Sequence, residues 1–529
     1  MSRWKLIGLL LLLAPGVGAQ PLLAPEPSEQ PVVLTLEEAV QIALVQNRAL
    51  QRARLDVENA SAQVREAWGQ VLPQVDLQSS YTRNLKSANP FAGSEAGGLF
   101  SSFGLIDWLA YNEDARTDTD PSTDPISLDE FFDRRQAGLD EAGLTLGGGE
   151  NPFSVPNEFL NGVTINQTLY NGSAFAAIRG AKQLRELNER AVDRQEQILI
   201  HEVRTTFYSA LLAQEQFAVV EQSVDRMART LNETIRLVNQ GIAPKFQRLT
   251  AEVELANLET QYVNAQNAAT KAVDQLKMVL GIPIEQPLRL RGELEAADPG
   301  LFVNVSTQSA VAAALERRPD LEQARLAVDL RRVDRSITQA QYLPRVDLFA
   351  NFNYIGRVPD NRTFVTSVDD DPFTFRSETE SFFSRSYWNP SINAGLRLTW
   401  NLFNGFQTSS QVQQRQVAID QAQLDYERQL ASVSLEVQNA LRDLEAARRR
   451  ILAQEQNVQR AALNYEHART RLREGVATHL EERNASEQYD QSQLNYLQAV
   501  HDYLVARSAF ETAVGMPLQG TDILNLTRN

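Results

Sequence analysis

The side chains that most often carry out chemistry are few in this chain and do not converge. It has no cysteine, which removes disulfides, thiolate metal sites and a lipid-bearing cysteine. Its four histidines, His201, His467, His479 and His501, all lie in stretches with a helical pattern, where a lone imidazole serves packing or the surface rather than a metal. Asp118, Asp120 and Asp124 have a spacing that can hold calcium. They sit in a Gly-, Ser- and Pro-rich stretch, residues 86–160, with 14 acidic and 4 basic side chains, and a solvated acidic loop is the plainer reading. Nucleophile motifs, phosphate loops and clustered metal ligands are missing, so neither an enzyme nor a cofactor is expected. The formal charge of −16 and the lack of a basic cluster with interleaved aromatics exclude nucleic acid as a partner. What remains is the chemistry of charge beside a passage, and that depends on the elements that hold it.

Those elements come twice. Gln51-Arg-Ala-Arg-Leu-Asp-Val57 returns as Glu322-Gln-Ala-Arg-Leu-Ala-Val328, and Leu72-Pro-Gln-Val-Asp-Leu77 as Leu343-Pro-Arg-Val-Asp-Leu348, both at an offset of 271. Leu169-Tyr-Asn-Gly172 matches Leu402-Phe-Asn-Gly405, and Leu280-Gly-Ile-Pro283 matches Val514-Gly-Met-Pro517, at 233 and 234. The first copy therefore carries an insertion of about 38 residues, and one structural unit is expected twice per chain. The copies span 20–306 and 307–529. Ahead of them, residues 1–19 read as a signal peptide: Arg3 and Lys5, the apolar run Leu6 to Leu13, and Val17-Gly18-Ala19 before Gln20. A Pro-rich leader follows to residue 31. No later run approaches the ~20 apolar residues of a spanning helix.

In each copy the longest segment is helical, 173–240 and 407–474. Leu430, Val437, Leu444, Ile451, Val458, Tyr465 and Leu472 recur every seven residues, as do Val203, Ala210, Phe217, Val224, Leu231 and Val238. A sustained seven-residue period marks helices wound in a supercoil, and at 1.5 Å rise these reach about 100 Å. Gly241 and Gly475 end them in left-handed caps, Pro244 opens the next helix, and return helices run over 244–280 and 478–514. Each return helix is half the length of its partner. The leading helices, 36–71 and 307–342, supply the other half, so the two halves are expected to stack end to end beside the long helix.

Between leading and long helices the period drops to two. Ile392, Ala394, Leu396, Leu398, Trp400 and Leu402 alternate with Ser391, Asn393, Gly395, Arg397, Thr399 and Asn401; Val75–Arg83, Val163–Leu169 and Val346–Tyr354 behave similarly. These predict the hairpins 72–170 and 343–402. One apolar and one polar face over about ten residues is the pattern of an outer-membrane barrel strand, and Tyr81, Tyr170, Tyr354, Trp388 and Trp400 suit interfacial girdles. Four strands do not close a barrel, and a bilayer tolerates no open edge. Two chains would give eight strands, whose interior fills with side chains; three would give twelve, with room for water. A trimer is the expected assembly.

The signal peptide, the duplicated helix–hairpin–long-helix units, the Leu-Phe-Asn-Gly405 landmark and the Gly-Ile-Pro283 and Gly-Met-Pro517 ends together resemble the TolC outer-membrane efflux family, over about residues 34–517. The resemblance implies a mainly α chain with a β-barrel part. A trimeric twelve-stranded barrel in outer-membrane lipid would continue as a periplasmic α-helical coiled-coil barrel, with residues 283–306 and 518–529 in a belt around it. It implies an exit duct for drugs, toxic compounds, metal ions or secreted proteins, joined through a periplasmic adaptor to an inner-membrane transporter. The adaptor-contacting tips would be Gly241, Ile242 and Ala243, and Gly475, Val476 and Ala477. The periplasmic constriction would involve Leu472, Arg473, Glu474, Glu481 and Asn484. There this sequence departs from the family, with Leu472 at the aromatic position, Ala477 at the arginine position, and Glu481 and Asn484 at the aspartates. Three copies of Glu481 would still ring the lumen with negative charge. The rival class is a non-conducting coiled-coil tether, against which the alternating strands argue.

Overall fold

The structure is a computed structural model describing residues 32–86, 97–119, 123–143, 155–295, 305–368 and 371–515, with helix backbone from residue 97 and side chains from 104. The expected signal peptide, the leader, part of the 283–306 linker, Asp120 and the C-terminal tail lie outside the described residues. The elements in order are β1 (Val32–Leu34), α1 (Leu36–Gln46), α2 (Arg48–Gly69), β2 (Gln74–Arg83), α3 (Gly97–Thr117), α4 (Leu128–Glu141), β3 (Asn157–Tyr170), α5 (Gly172–Asn239), α6 (Lys245–Leu280) and β4 (Leu288–Leu290). There follow α7 (Thr307–Arg317), α8 (Pro319–Gln339), β5 (Arg345–Val358), β6 (Thr363–Val368), β7 (Asp371–Thr379), β8 (Trp388–Thr399), α9 (Gln407–Arg473) and α10 (His479–Val514). Two compact units share the chain.

The first unit, with described residues 32–61, 183–295, 305–330 and 418–515, is helical apart from one short strand pair. Its core takes one stripe from each long helix. Val203, Phe207 and Ala210 of α5 and Val437, Leu444, Ala447 and Ile451 of α9 are buried, and Val458, Tyr465 and Leu472 beyond them half-buried. The narrow stripe follows from the heptad: only the seam positions face a neighbour, and the remaining faces stay wet. Val32–Leu34 pairs in parallel with Leu288–Leu290.

Each leading helix is expected to be continuous and is instead broken. The first stops at Asn47, where φ is −63° and ψ 126°; the second stops at Arg318, at −77° and 120°. Pro319 forces the second break, because the residue before a proline is pushed out of the α region. Asn47 makes the first as an N-cap, its Oδ1 accepting from the Ala49 and Leu50 N–H groups at 2.9 and 3.1 Å. The return helices arrive at these breaks: Asn47 Nδ2 donates to the Val279 carbonyl at 2.9 Å, and the Arg318 guanidinium to that of Ala513 at 3.2 Å.

The second unit, residues 62–182 and 331–417, holds an all-antiparallel sheet in the order β2-β3-β5-β8. β2 and β8 are its edges. β8 stops at Thr399, short of the expected Leu402, because its partner strand β5 begins only at Arg345, after Pro344; Trp400 donates through Nε1 to the Tyr342 carbonyl at 3.0 Å. Two features beyond the strands have no counterpart in the sequence patterns. The stretch 86–160, expected as a solvated loop, carries α3 and α4, and the second connection carries the β6–β7 hairpin. The reason is visible in their packing: Phe131 and Leu139 of α4 are 1 and 2% exposed, and Phe131 and Tyr111 meet Phe373 of β7 at ring distances of 5.4 and 5.3 Å.

Candidate functional site

The turns at the ends of the long helices share one backbone solution. Gly241 and Gly475 both have φ of +75°, a conformation that costs glycine nothing and any other residue strain. In the first turn the Ile242 N–H donates to the Leu237 carbonyl at 2.9 Å and Gly241 to Val238 at 3.1 Å. In the second, Val476 donates to Arg471 at 2.9 Å and Gly475 to Leu472 at 3.0 Å. These paired bonds form the Schellman arrangement, which satisfies the last helical carbonyls. The chain then restarts differently: Pro244 caps α6 without a side-chain bond, whereas Thr478 Oγ1 accepts from the Glu481 N–H at 3.3 Å. The turn points Ile242 and Val476 outward, 69 and 62% exposed, beside half-covered Ala243 and Ala477. From the first tip, Phe246, Leu249 and Val253 continue as an exposed stripe, at the i, i+3, i+7 spacing of one helix face.

Of the five expected constriction residues, Leu472 is half-buried, and Arg473, Glu474, Glu481 and Asn484 are placed at or near the surface. Among the described residues only Glu481 of the five is paired through its side chain within the chain, 3.9 Å from Arg471. Both partners are more than half exposed, so the pair is weak. Arg471 also donates to the Val476 carbonyl at 3.4 Å.

Stronger contacts lie deeper, and sequence reasoning missed them. Arg226 of α5 pairs with Asp490 of α10, side chains 21 and 20% exposed, and Ser223 donates to the same carboxylate at 2.8 Å. Arg483 of α10 reaches Glu254 of α6 at 3.5 Å, and Tyr465 stacks on Tyr489 at 5.9 Å. Together these tie the α5–α6 hairpin to α9–α10 around a cleft of about 670 Å³ lined by Met227, Thr230, Phe246, Leu258, His479 and Leu494. Glu482 stands in its wall, where burial pushes the carboxyl above the usual carboxylate range. In the sequence Arg226, Asp490, Arg483 and Glu254 are each one charge among many on a wet helix, with a partner more than 200 residues away.

The sheet separates its faces cleanly. On one, Leu348 faces Leu396 and Phe352 faces Ile392 across β5 and β8, while Val75 faces Ile165 and Leu77 faces Val163. Leu77, Ile392, Leu396 and Leu398 are 66–77% exposed, too much contiguous apolar surface for water. The other face carries Asp76, Gln78, the Asn351–Asn393 bond at 2.8 Å, the Arg345–Asp347 pair at 2.8 Å and Arg397 over the Phe349 ring at 5.1 Å. Aromatics mark both strand ends. Tyr81, Phe159, Trp388 and Tyr354 form a stack with neighbouring rings 4.8–5.4 Å apart, and Tyr170, Tyr342 and Trp400 stand at the other end. From Trp388 to Trp400 the chain, strand as far as Thr399, covers about 40 Å at ~3.3 Å per residue. Tilted by about 40°, it spans about 30 Å, the thickness of a bilayer's hydrocarbon core.

A two-faced sheet between aromatic belts and heptad helices in the same chain have counterparts among known proteins. The sequence profile of the outer membrane efflux protein family matches residues 141–282 and 310–516. The chain belongs to that family. Outer membrane protein TolC of Vibrio cholerae is 22% identical over 452 residues, covering 84% of this chain and 98% of that one. The alkaline protease secretion protein AprF of Pseudomonas aeruginosa is 22% identical over 355 residues, 66% and 68% of the two chains. Among solved structures, the Campylobacter jejuni CmeC outer membrane channel superposes with a TM-score of 0.66 at 16% identity, covering 93% and 89%. The protein is thus an outer-membrane protein with a periplasmic extension. Its family and structural neighbours are channels rather than enzymes. No described helix is long and apolar enough to cross a membrane.

Proposed function

We propose that this chain is one third of an outer-membrane exit duct. The free edges of the sheet carry the reading. β2 and β8 each leave a row of backbone N–H and C=O groups unpaired beside an exposed apolar face, and in lipid every such group must find a partner. Pairing β2 of one copy with β8 of the next closes the ring, and three copies make twelve strands with the polar face lining a wet lumen. A non-conducting tether needs no such lining.

The Gly241–Ala243 and Gly475–Ala477 turns, with Ile242 and Val476 outward, fit a meeting with the helical hairpins of a periplasmic adaptor, itself coupled to an inner-membrane transporter. Leu472, Arg473, Glu474, Glu481 and Asn484 border the inner opening. Cargo would be small toxic compounds, metal ions or secreted protein, protein secretion being in the name of AprF.

The experiment is the native mass of the detergent-extracted outer-membrane fraction, followed by conductance in planar bilayers. A trimer that conducts supports the duct. A monomer, or a trimer with no conductance, returns the tether to first place. In the same bilayers Glu481→Gln should weaken cation preference, and an unchanged preference would remove the charge ring from the reading.

A further inference from the structure

The two hairpins of the sheet share one register. β2 and β3 pair over ten rungs, from Gln74–Asn166 to Arg83–Asn157. Moved by the repeat offsets of 271 and 233, these become Arg345–Thr399 to Tyr354–Pro390, and each is a rung of β5 and β8. β3 does not stop where its ladder to β2 stops. It runs on from Asn166 to Tyr170, because β5 lies on its other side and pairs with Gln167, Thr168 and Tyr170. Among the described residues β8 has no strand on that side, and it ends at Thr399, the counterpart of Asn166. The side-chain bond of Trp400 to the Tyr342 carbonyl does not forbid a longer strand. Its counterpart Gln167 donates to the Val71 carbonyl in the same way and remains in β3.

Resting on the shared-barrel reading above, we infer that the seam between copies repeats the seam within the chain. β2 of one copy adds to β8 of the next in the β3–β5 register, and β8 extends past Thr399. The same offsets assign the rungs: Thr164–Asn351 becomes Arg397–Ser80, Ile165–Ala350 becomes Leu398–Ser79, and Thr168–Asp347 becomes Asn401–Asp76. The last rung carries chemistry. Thr168 Oγ1 donates to Asp347 at 3.1 Å. Asn401 and Asp76 are both exposed, without a side-chain bond among the described residues of the chain, and an amide offers a carboxylate the donor that the hydroxyl offers Asp347. Asn401 therefore donates to Asp76 of the adjacent copy. Sliding the strand by one residue would turn both faces over. Sliding it by two would set Asp76 against Phe403 and Leu396 against Arg83.

Cysteine pairs read the register, and the chain has no cysteine of its own to confuse them. Cα atoms directly opposite stand about 4.5–5.5 Å apart and can be bridged, whereas diagonal ones at about 7–8 Å cannot. Within one chain β2 and β8 are three strand spacings apart, about 14 Å, so a disulfide joins only different copies. In the full-length protein in its outer membrane, Arg397→Cys with Ser80→Cys and Leu398→Cys with Ser79→Cys test adjacent rungs, one of each hydrogen-bonding kind. Mild oxidation should give covalent dimers and trimers on a non-reducing gel from at least one of these pairs. Arg397→Cys with Gln78→Cys or Thr82→Cys should give none. Bridging by the shifted pairs instead would overturn the register and leave the shared barrel standing. Membrane-inserted protein that no pair bridges would sink the shared barrel, and the register with it. The bond has its own test. Asn401→Asp sets two carboxylates against each other and should lower the temperature at which the detergent-extracted trimer dissociates. Adding Asp76→Asn restores an amide–carboxylate pair with the roles exchanged and should recover it. An unchanged temperature in the single variant, or no recovery in the double, overturns the Asn401–Asp76 contact.

Discussion

The two places where a return helix meets a broken leading helix do the same work with different chemistry. At an offset of 271, Ala39, Ala43, Asn47 and Leu50 correspond to Ala310, Ala314, Arg318 and Leu321; all four alanines are 0% exposed and the leucines 0 and 4%. Backbone angles at the two breaks agree within about 15°. Yet the first junction is held by one neutral amide, which joins the start of α2 to the end of α6. In the second, Arg318 donates to Asp320 at 2.7–2.9 Å and to Glu436 of α9 at 2.7 Å, and Arg194 of α5 donates to the Thr512 carbonyl of α10 at 3.1 Å. That cluster ties four helices where the amide ties two. The backbone problem has one solution, and the side chain that satisfies the arriving carbonyls is free to differ, with consequences for how many elements are fixed at once.

The largest expected effect follows from that difference. Arg318 is 2% exposed at its side chain, and Arg318→Met would strand Asp320 among fewer donors and leave the Ala513 carbonyl unpaired. Removing one partner of a buried pair costs about 3–5 kcal/mol; Glu436, 46% exposed, stays solvated, which puts the expected loss near the lower figure. Hydrogen exchange should show amides around Gly515 opening and those around Gly281 unchanged. Acid gives the same contrast without mutation. Burial opposes ionisation of Asp320, but its bonds and charge contact with Arg318 outweigh this and hold the carboxyl below its ordinary value. A depressed folded pKa means stability present above the unfolded value of about 3.9 and lost as pH falls through the folded one. The contacts that hold the first junction are neutral, so acidification below about pH 4 should loosen the second junction first. Equal opening at both would break the comparison.

A smaller effect separates the glycines that close the return helices. Gly281 and Gly515 have φ of +78° and +90°, so alanine at either adds roughly 1 kcal/mol of left-handed strain. At Gly281 the new Cβ would stand 2.5 Å from the Gln46 carbonyl oxygen, an immovable backbone atom, whereas at Gly515 the nearest atoms, Arg318 Cγ and the Arg317 carbonyl group, stand at 3.2–3.4 Å, so a shift of a few tenths of an ångström suffices. Gly281→Ala should therefore cost about 2–3 kcal/mol and Gly515→Ala about half as much. Gly241→Ala and Gly475→Ala, with nothing within 4 Å, should show the bare strain alone. Thermal unfolding of the four variants gives the ranking, and a Gly515→Ala loss equal to that of Gly281→Ala would mean the second junction is as rigid as the first.

How much of this the sequence carries follows from the range of each interaction. Heptads, left-handed glycines and period-two strands are local patterns, and the helices, both tips and the four strands are readable from them. Pro319 is a local signal for the second break, masked because the helical period continues across it; Asn47 signals less, since an asparagine within a helix has no period of its own. Arg226–Asp490, Arg318–Glu436 and the Phe131–Phe373 contact join residues far apart in the chain, and no pattern in one sequence pairs them. The acidic composition of residues 86–160 points to a loop because its core residues, Trp108, Asn112, Ile126 and Phe131, are few and find their partners partly in β7.

The smallest expected effect tests whether Asn47 acts as a cap or as a clasp. Its Oδ1 receives two N–H groups of α2, and its Nδ2 serves the Val279 carbonyl of α6. Asn47→Ala removes both and should cost about 1 kcal/mol, the usual loss for a missing N-cap. Asn47→Asp divides the roles: the carboxylate still caps α2, and its charge suits the positive end of that helix, but it offers the Val279 carbonyl no donor. If capping dominates, Asn47→Asp should retain nearly the original stability and keep the amides of Ala49 and Leu50 protected from exchange. If the clasp dominates, it should fall with the alanine variant, and the Gly281 amide should open. The second outcome would make the neutral junction a tie between helices like its charged counterpart, with the contrast reduced to how many helices each one reaches.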